Sequence, residues 1–242
     1  MIAGRQFVIR PVLTVCVAIA IFILLGLGNW QLERRDWKLS LIEKIEARVT
    51  NAPQPYPAVI ANTHERDTDV EYTPVTIEGI YAPALEELLF GQYDGEPGAF
   101  IFTPLHIGFD VYVYINRGFV PQAALKSNNY QSVTSTDTVR VTGLLRESET
   151  LRAPASWFQS TQKSPDGYWF VRKPELMAAA RKEEIHTGSW YIDRGGEKPN
   201  EIPLGGTTRI SFRNSHLEYA LTWFGLAVTL FGVFFVFCLK KE

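Results

Sequence analysis

No Asp, Glu, Lys or Arg occurs between Arg10 and Glu33 or between Glu218 and Lys240, and these two uncharged runs, 22 and 21 residues long, constrain the whole chain. At ~1.5 Å of rise per helical residue, each reaches roughly 30 Å, the thickness of a bilayer core. The overall composition, 46% hydrophobic and 21% charged over 242 residues, resembles that of a soluble enzyme only because it averages these ends with a polar middle. An ordinary soluble domain is excluded. Arg5, Arg10, Lys240 and Lys241 against Glu242 leave the tails at +3, so the total of −2 puts −5 in the middle. An acidic middle with singly scattered basic residues has no footprint for nucleic acid, and no nucleic-acid partner is expected.

The first run begins at Pro11, a tolerated helix start, and follows Arg5 and Arg10. Its apolar core exceeds the ~7–15 residues of a signal-peptide core, and no A-x-A precedes Gly28 or Asn29, so it reads as an uncleaved anchor. The second run stops at Lys240-Lys241, a conventional cytoplasmic stop. Two spans put both termini on one side and the intervening segment on the other. Arg34, Arg35, Lys38 and Lys44 follow the first span, but Glu33, Asp36, Glu43 and Glu46 are interleaved with them. Loops well beyond ~60 residues also translocate largely regardless of charge. The expected layout is a cytoplasmic tail at 1–10, a span at 11–30, an extracytoplasmic domain at 31–218, a second span at 219–239 and a tail at 240–242. With no Arg-rich, acid-poor presequence, the expected membrane is the bacterial inner membrane, with the domain in the periplasm.

Within the middle, Leu39, Ile42, Ile45 and Val49 continue the first helix beyond the membrane, and the prolines of NAPQPYP at 51–57 end it. Residues 58–71 read as a polar loop. Alternation in Val75-Thr76-Ile77-Glu78-Gly79 and in Val139-Arg140-Val141-Thr142-Gly143 predicts half-buried strands. Aromatic and β-branched runs at 99–103, 111–120, 168–172 and 189–193 add more. The fold class expected is α+β: an antiparallel sheet or partly closed barrel, with short helices at 84–89 and 175–184, between two transmembrane helices. The two V-x-[VI]-x-G units raise the question of an internal repeat.

Signatures of phosphate-binding loops, dinucleotide sites, zinc proteases and serine hydrolases are missing. Cys16 and Cys238 both lie in the uncharged runs and Met177 is the only methionine besides the initiator, which excludes thiol-based copper delivery by the domain. His64, His106 and His186 have no ligand spacing. His216 stands three residues before the second span, and on a helix Tyr219, Ala220, Trp223 and Ala227 share its face at offsets of 3, 4, 7 and 11. An axial imidazole with flat apolar and small neighbours is what haem requires. Histidine and aromatics also serve as interfacial anchors, so spacing alone leaves both readings open.

Three strings in order carry a family resemblance. Leu27-Gly28-Asn29-Trp30-Gln31-Leu32-Glu33-Arg34 resembles the LGxWQxxR signature of the surfeit-locus protein one family. Ile115-Asn116-Arg117-Gly118-Phe119-Val120-Pro121 is similar to its VNRGWVP, and Asn214-Ser215-His216-Leu217-Glu218-Tyr219-Ala220-Leu221-Thr222-Trp223 to its N-x-H-L-x-Y-A-x-T-W. Phe119 stands where tryptophan is usual, and Ser215 where asparagine is commoner. The resemblance implies a two-span membrane factor that assembles haem-copper terminal oxidases, with haem a bound at the second-span histidine, here His216. It also implies haem-copper oxidase subunit I as client, with haem a synthase a second partner and the lipid bilayer a third.

On this reading His216 is the axial iron ligand and Tyr219 and Trp223 shield the porphyrin. Trp30, with Trp37, anchors at the interface or packs against the second span or the cofactor. Arg34 and Arg35 neutralise haem propionates or contact lipid headgroups. Asn116, Arg117 and Gly118 read as a turn leaving a strand. No enzymatic role is expected. The rival readings are a haem-free scaffold for an oxidase assembly intermediate and an enzyme acting on a lipid or cell-wall precursor.

Overall fold

Helix α1 runs unbroken from Pro11 to Val49, 39 residues, because Pro11 occupies a start position where its missing N–H costs nothing and no further proline follows until Pro53. The computed structural model describes residues 5–7, 10–66, 69–127, 130, 137–151, 153, 157, 159–181, 185–196, 201–208 and 214–241. These belong to two compact units, Met1–Glu46 with Ile210–Glu242, and Ala47–Arg209.

In the first unit α1 accompanies the last described helix of the chain, His216–Cys238, called α5 below. Both are long and apolar enough to cross a membrane. Large apolar side chains point outward along both, with Phe22 80% and Val228 72% exposed, so neither helix is the core of a soluble fold. Hydroxyls are satisfied within the helices: Thr14 donates to the Arg10 carbonyl at 2.9 Å, Thr222 to that of Glu218 at 2.9 Å and Thr229 to that of Gly225 at 2.8 Å. At the far ends β1 (Arg5–Phe7) pairs antiparallel with β10 (Leu239–Lys241), joining the two tails beyond the runs.

Among the positions of α1 shielded from solvent, Val17, Ile21, Leu24, Gly28, Gln31 and Arg35 form one row, flanked by Leu13, Thr14, Ala20, Leu27 and Leu32. On α5 the corresponding row is His216, Ala220, Trp223, Ala227, Leu230 and Phe234, with Phe224 and Cys238 shielded beside it. Steps alternating between four and three give the 3.5-residue period of a left-handed helix pair. Small residues permit close approach: a side chain on Gly28 would meet the Phe224 ring at 2.5–2.9 Å.

The second unit is built on one mixed sheet. Among the described residues it holds eight strands: β2 (Gln54–Pro55), β3 (Pro74–Tyr81), β4 (Glu87–Tyr93), β5 (Glu96–Gly108), β6 (Val111–Pro121), β7 (Val139–Glu147), β8 (Tyr168–Trp169) and β9 (Trp190–Arg194). Their order is β2-β3-β7-β9-β6-β5-β4-β8, and β3 also meets β5 through Ile80–His106 and Tyr81–Leu105, so the pairings return to β3 after five strands. The antiparallel expectation is corrected: β2–β3, β4–β8 and β6–β9 are parallel. The reason is that β2, β8 and β9 enter from outside the hairpins, after helices or long loops, and such connections fix no antiparallel direction. The two V-x-[VI]-x-G units are partners in space, Val75 opposite Gly143 and Gly79 opposite Val139, with Arg140 Nη2 2.6 Å from Glu78 Oε1.

Two other expectations change. Residues 58–71 are not a loop throughout: α2 (Tyr56–Arg66) carries Tyr56, Val59 and Ile60 onto the core, its Pro57 sitting in the first turn where proline fits. The helix expected at 84–89 is a 3₁₀ turn, Pro83–Leu85, after which the chain enters β4. The helix expected at 175–184 is α4 (Pro174–Ala179), and α3 is the short Gln122–Lys126.

Apolar clusters cover both faces of the sheet. Val75, Ile77, Leu105, Val113, Ile115, Val141, Leu145 and Ile192 make one, Phe100, Phe102, Tyr114, Phe119, Trp169, Met177 and Tyr191 the other. The second buries a carboxylate. Glu87, 1% exposed, accepts from Lys163 and Arg181 at 2.6 Å each and from the Trp169 indole at 2.9 Å. Removing one partner of such a pair strands the other charge. Glu87→Ala is therefore expected to destabilise the unit by about 3–5 kcal/mol, lowering its thermal midpoint by on the order of 10 °C, read by near-UV circular dichroism. The exposed Glu96→Ala change should stay within about 0.5 kcal/mol; equal effects at both positions would contradict this account.

Candidate functional site

The sequence signatures divide between the two units, and the first and third meet in the helix pair. His216 is the first residue of α5, and its Nδ1 lies 2.7 Å from Gln31 Oε1 of α1. Just ahead of it Asn214 joins both helices, accepting from the His216 amide at 3.4 Å and donating to the Arg35 carbonyl at 3.3 Å. The two motifs thus form one polar junction at the start of α5 and the corresponding level of α1.

Of the residues singled out in the sequence, Ala220 and Ala227 are buried on the seam, with Trp223 half-buried beside them. Tyr219 lies on the neighbouring face, 56% exposed. Trp30 and Arg34 do not lie on the seam. With Trp37 they form an outward stripe at the i, i+4, i+7 spacing of one helix face, Trp30 49% exposed and the Arg34 guanidinium 4.3 Å from the centre of the Trp37 ring. Arg35 sits closer to the junction, through its carbonyl, while its guanidinium pairs with Asp36 at 2.7 Å. Gln31, Asn214 and Phe224 are the residues that the sequence reading passed over. Gln31 had a signal: it is a polar amide inside a run without charges, on the 3.5-residue repeat that also contains Gly28.

The central motif has a different job. Asn116, Arg117 and Gly118 are not a turn leaving a strand but a β-bulge inside β6: Phe102 pairs with Asn116 and Ile101 with Gly118, leaving Arg117 as the extra residue. Gly118 is required there, since its φ is +126° and a side chain would strike the Leu204 carbonyl. The Asn116 amide donates to Asp193 Oδ1 at 2.7 Å, while its oxygen accepts from the Gly118 amide at 3.1 Å. Arg117 is buried and 3.3 Å from Glu86. Burial pulls its guanidinium below the ordinary arginine value, and Glu86 works against that pull. Its role is structural.

Beside the bulge Asp193 also accepts from Arg146 at 3.2 Å and Thr208 at 2.7 Å. This network lines a polar cavity of about 250 Å³ with Gln92 and Arg172. Among the described residues no three His, Cys, Asp or Glu side chains converge as a metal site. His106 packs on Tyr112 at 5.0 Å between ring centres; the side chain of His64 lies outside the described residues.

The model of the SURF1 family matches residues 18–228, from the first apolar run through the second. Human Surfeit locus protein 1 is 32% identical over 222 residues, 84% of this chain and 69% of its own length. The protein of the same name from Takifugu rubripes is 28% identical over 236 residues, 89% of this chain and 92% of its own. A SURF1-like protein of Rickettsia felis is 27% identical over 231 residues, covering 91% and 94%.

The junction depends on how closely the helices approach at Gly28. Gly28→Ala should destabilise the helix pair by about 1–3 kcal/mol, because the methyl group enters the space of the Phe224 ring. Adding Phe224→Ala should recover on the order of 1 kcal/mol of that loss in a double-mutant cycle, measured by thermal unfolding in micelles. Strict additivity would show that the two residues do not meet.

Proposed function

This chain belongs to the SURF1 family, known for cytochrome oxidase assembly, and we propose that it takes up haem a through His216 at the outer side of a bacterial inner membrane and passes it to haem-copper oxidase subunit I. The observation that supports this reading is the junction of the two helices, where the His216 imidazole meets Gln31 through Nδ1 and its other ring nitrogen would serve as the ligand. Exposed aromatic surface lies on both helices at this level, Trp30 on α1 and Tyr219 on α5, with Trp223 half-buried one turn further in. Those side chains suit a flat apolar macrocycle, and one axial imidazole with no second histidine beside it among the described residues suits a cargo that must leave. Arg34, held over Trp37, stands on the same face as Trp30 and is the basic residue placed to meet a propionate.

The protein is read as spanning the membrane twice. Both helices have the length and the outward apolar surface for it, and the β1–β10 pairing supports both tails sharing the cytoplasmic side. The sheet unit is then periplasmic. Its role is that of a client-positioning module, with no catalytic step assigned to it and haem a synthase as the donor-side partner.

The test is the absorption spectrum of the protein made alongside haem a synthesis. Wild type is expected to carry a Soret band, and His216→Ala to lose it while the sheet unit keeps its near-UV circular-dichroism signal. Oxidase from cells with only the variant should be depleted in haem a. A colourless wild-type protein from haem-a-producing cells would overturn haem handling and leave the haem-free scaffold as the better account.

A further inference from the structure

Resting on the haem reading above, we propose that Gln31 is the positioning residue of the site: its amide oxygen holds His216 as the Nδ1–H tautomer and so presents Nε2 as the ligand. A neutral imidazole has one N–H and one lone pair, and which nitrogen carries which is set by the partner of the other. An amide oxygen only accepts, so at 2.7 Å from Gln31 Oε1 the proton sits on Nδ1. The ring cannot then turn to offer Nδ1 without breaking that bond.

Gln31 is itself held. It lies on the shielded seam of α1, three residues from Gly28, whose close packing on Phe224 sets the distance between the helices, and Asn214 ties the same level through the Arg35 carbonyl. An amide in an otherwise apolar run needs a partner as much as the imidazole does, so each group removes the other's alternatives. Groups that orient a metal-bound histidine typically contribute 10–100-fold in affinity.

The experiment uses the full chain in micelles with ¹⁵N-labelled histidine, the His216 ring signals being identified by their loss in His216→Ala. Without haem, wild type should show a protonated Nδ1 and a bare Nε2; Gln31→Leu should show exchange between tautomers, and Gln31→Glu, which keeps an acceptor, should retain the wild-type pattern. On titration with haem a, Gln31→Leu should bind about 10–100-fold more weakly than wild type. Gln31→Glu should bind and shift the iron midpoint potential to lower values. A bare Nδ1 in wild type, or an unchanged tautomer in Gln31→Leu, overturns the inference. Wild type and Gln31→Leu binding haem equally tightly overturns it while leaving the haem reading intact. If wild type binds no haem, the haem reading falls, and the ring signals still decide the tautomer.

Discussion

The hydrogen bond between Gln31 and His216 depends on backbones close enough for two short polar side chains to meet, and that closeness depends on Gly28 lacking a side chain opposite Phe224. Two helices read as a membrane-spanning pair gain no hydrophobic force from meeting, because lipid surroundings would be equally apolar. What remains is packing and the pairing of polar groups that have nowhere else to go. Packing requires small residues, supplied by Gly28, Ala220 and Ala227 on one seam. Pairing requires polar residues at matching levels, supplied by Gln31, His216 and Asn214. The residues that give the chain its most specific chemistry are therefore also those that assemble the helix pair.

The sheet unit meets its constraint by another route. A strand alternates its side chains between two faces, so a long strand with apolar residues on both faces must keep its parity or break it deliberately. Strand β6 breaks it: Tyr114 and Asn116 point to one face, Arg117 is the extra residue, and after it the odd-numbered Phe119 joins Tyr114 in the aromatic cluster. The parity change sends a bulky aromatic into the cluster and turns Arg117 toward Glu86. Phe119, where the resemblance leads one to expect tryptophan, packs on Tyr93 and Phe100 at 5.7 and 5.4 Å between ring centres. The ring contacts fill the site without an indole donor.

Sequence periodicity carried much of this fold and stopped at identifiable points. Uncharged length located both apolar helices, alternation located β3 and β7, and aromatic and β-branched runs located β5 and β6, because each depends on nearby residues only. Strand direction depends on which chain end reaches the sheet, which no local pattern encodes, and β8 accordingly runs parallel to β4, and β9 parallel to β6 though antiparallel to β7. Helix α2 hid behind its prolines: Pro53 and Pro55 do end α1, but Pro57 starts another helix, and Tyr56, Val59 and Ile60 were available as its apolar face. At the candidate site His216 stood out for its chemistry. Gln31 did not, because an amide becomes informative only once its opposite number across the seam is known.

That partner being an amide and not a carboxylate has a consequence for any cargo. A carboxylate at this position would pull more strongly on the Nδ1 proton and make Nε2 a stronger donor, favouring retention. It would also place a charge within an uncharged run, at a cost that only full pairing offsets. An amide accepts the same proton, stays neutral, and leaves the imidazole an ordinary ligand. On the proposed haem reading, the ring would thus be fixed in direction without being strengthened as a donor, a combination suited to picking up a group in one orientation and giving it up to a site with firmer ligands. Orientation and release are separate requirements, and the neutral pair meets the first without opposing the second.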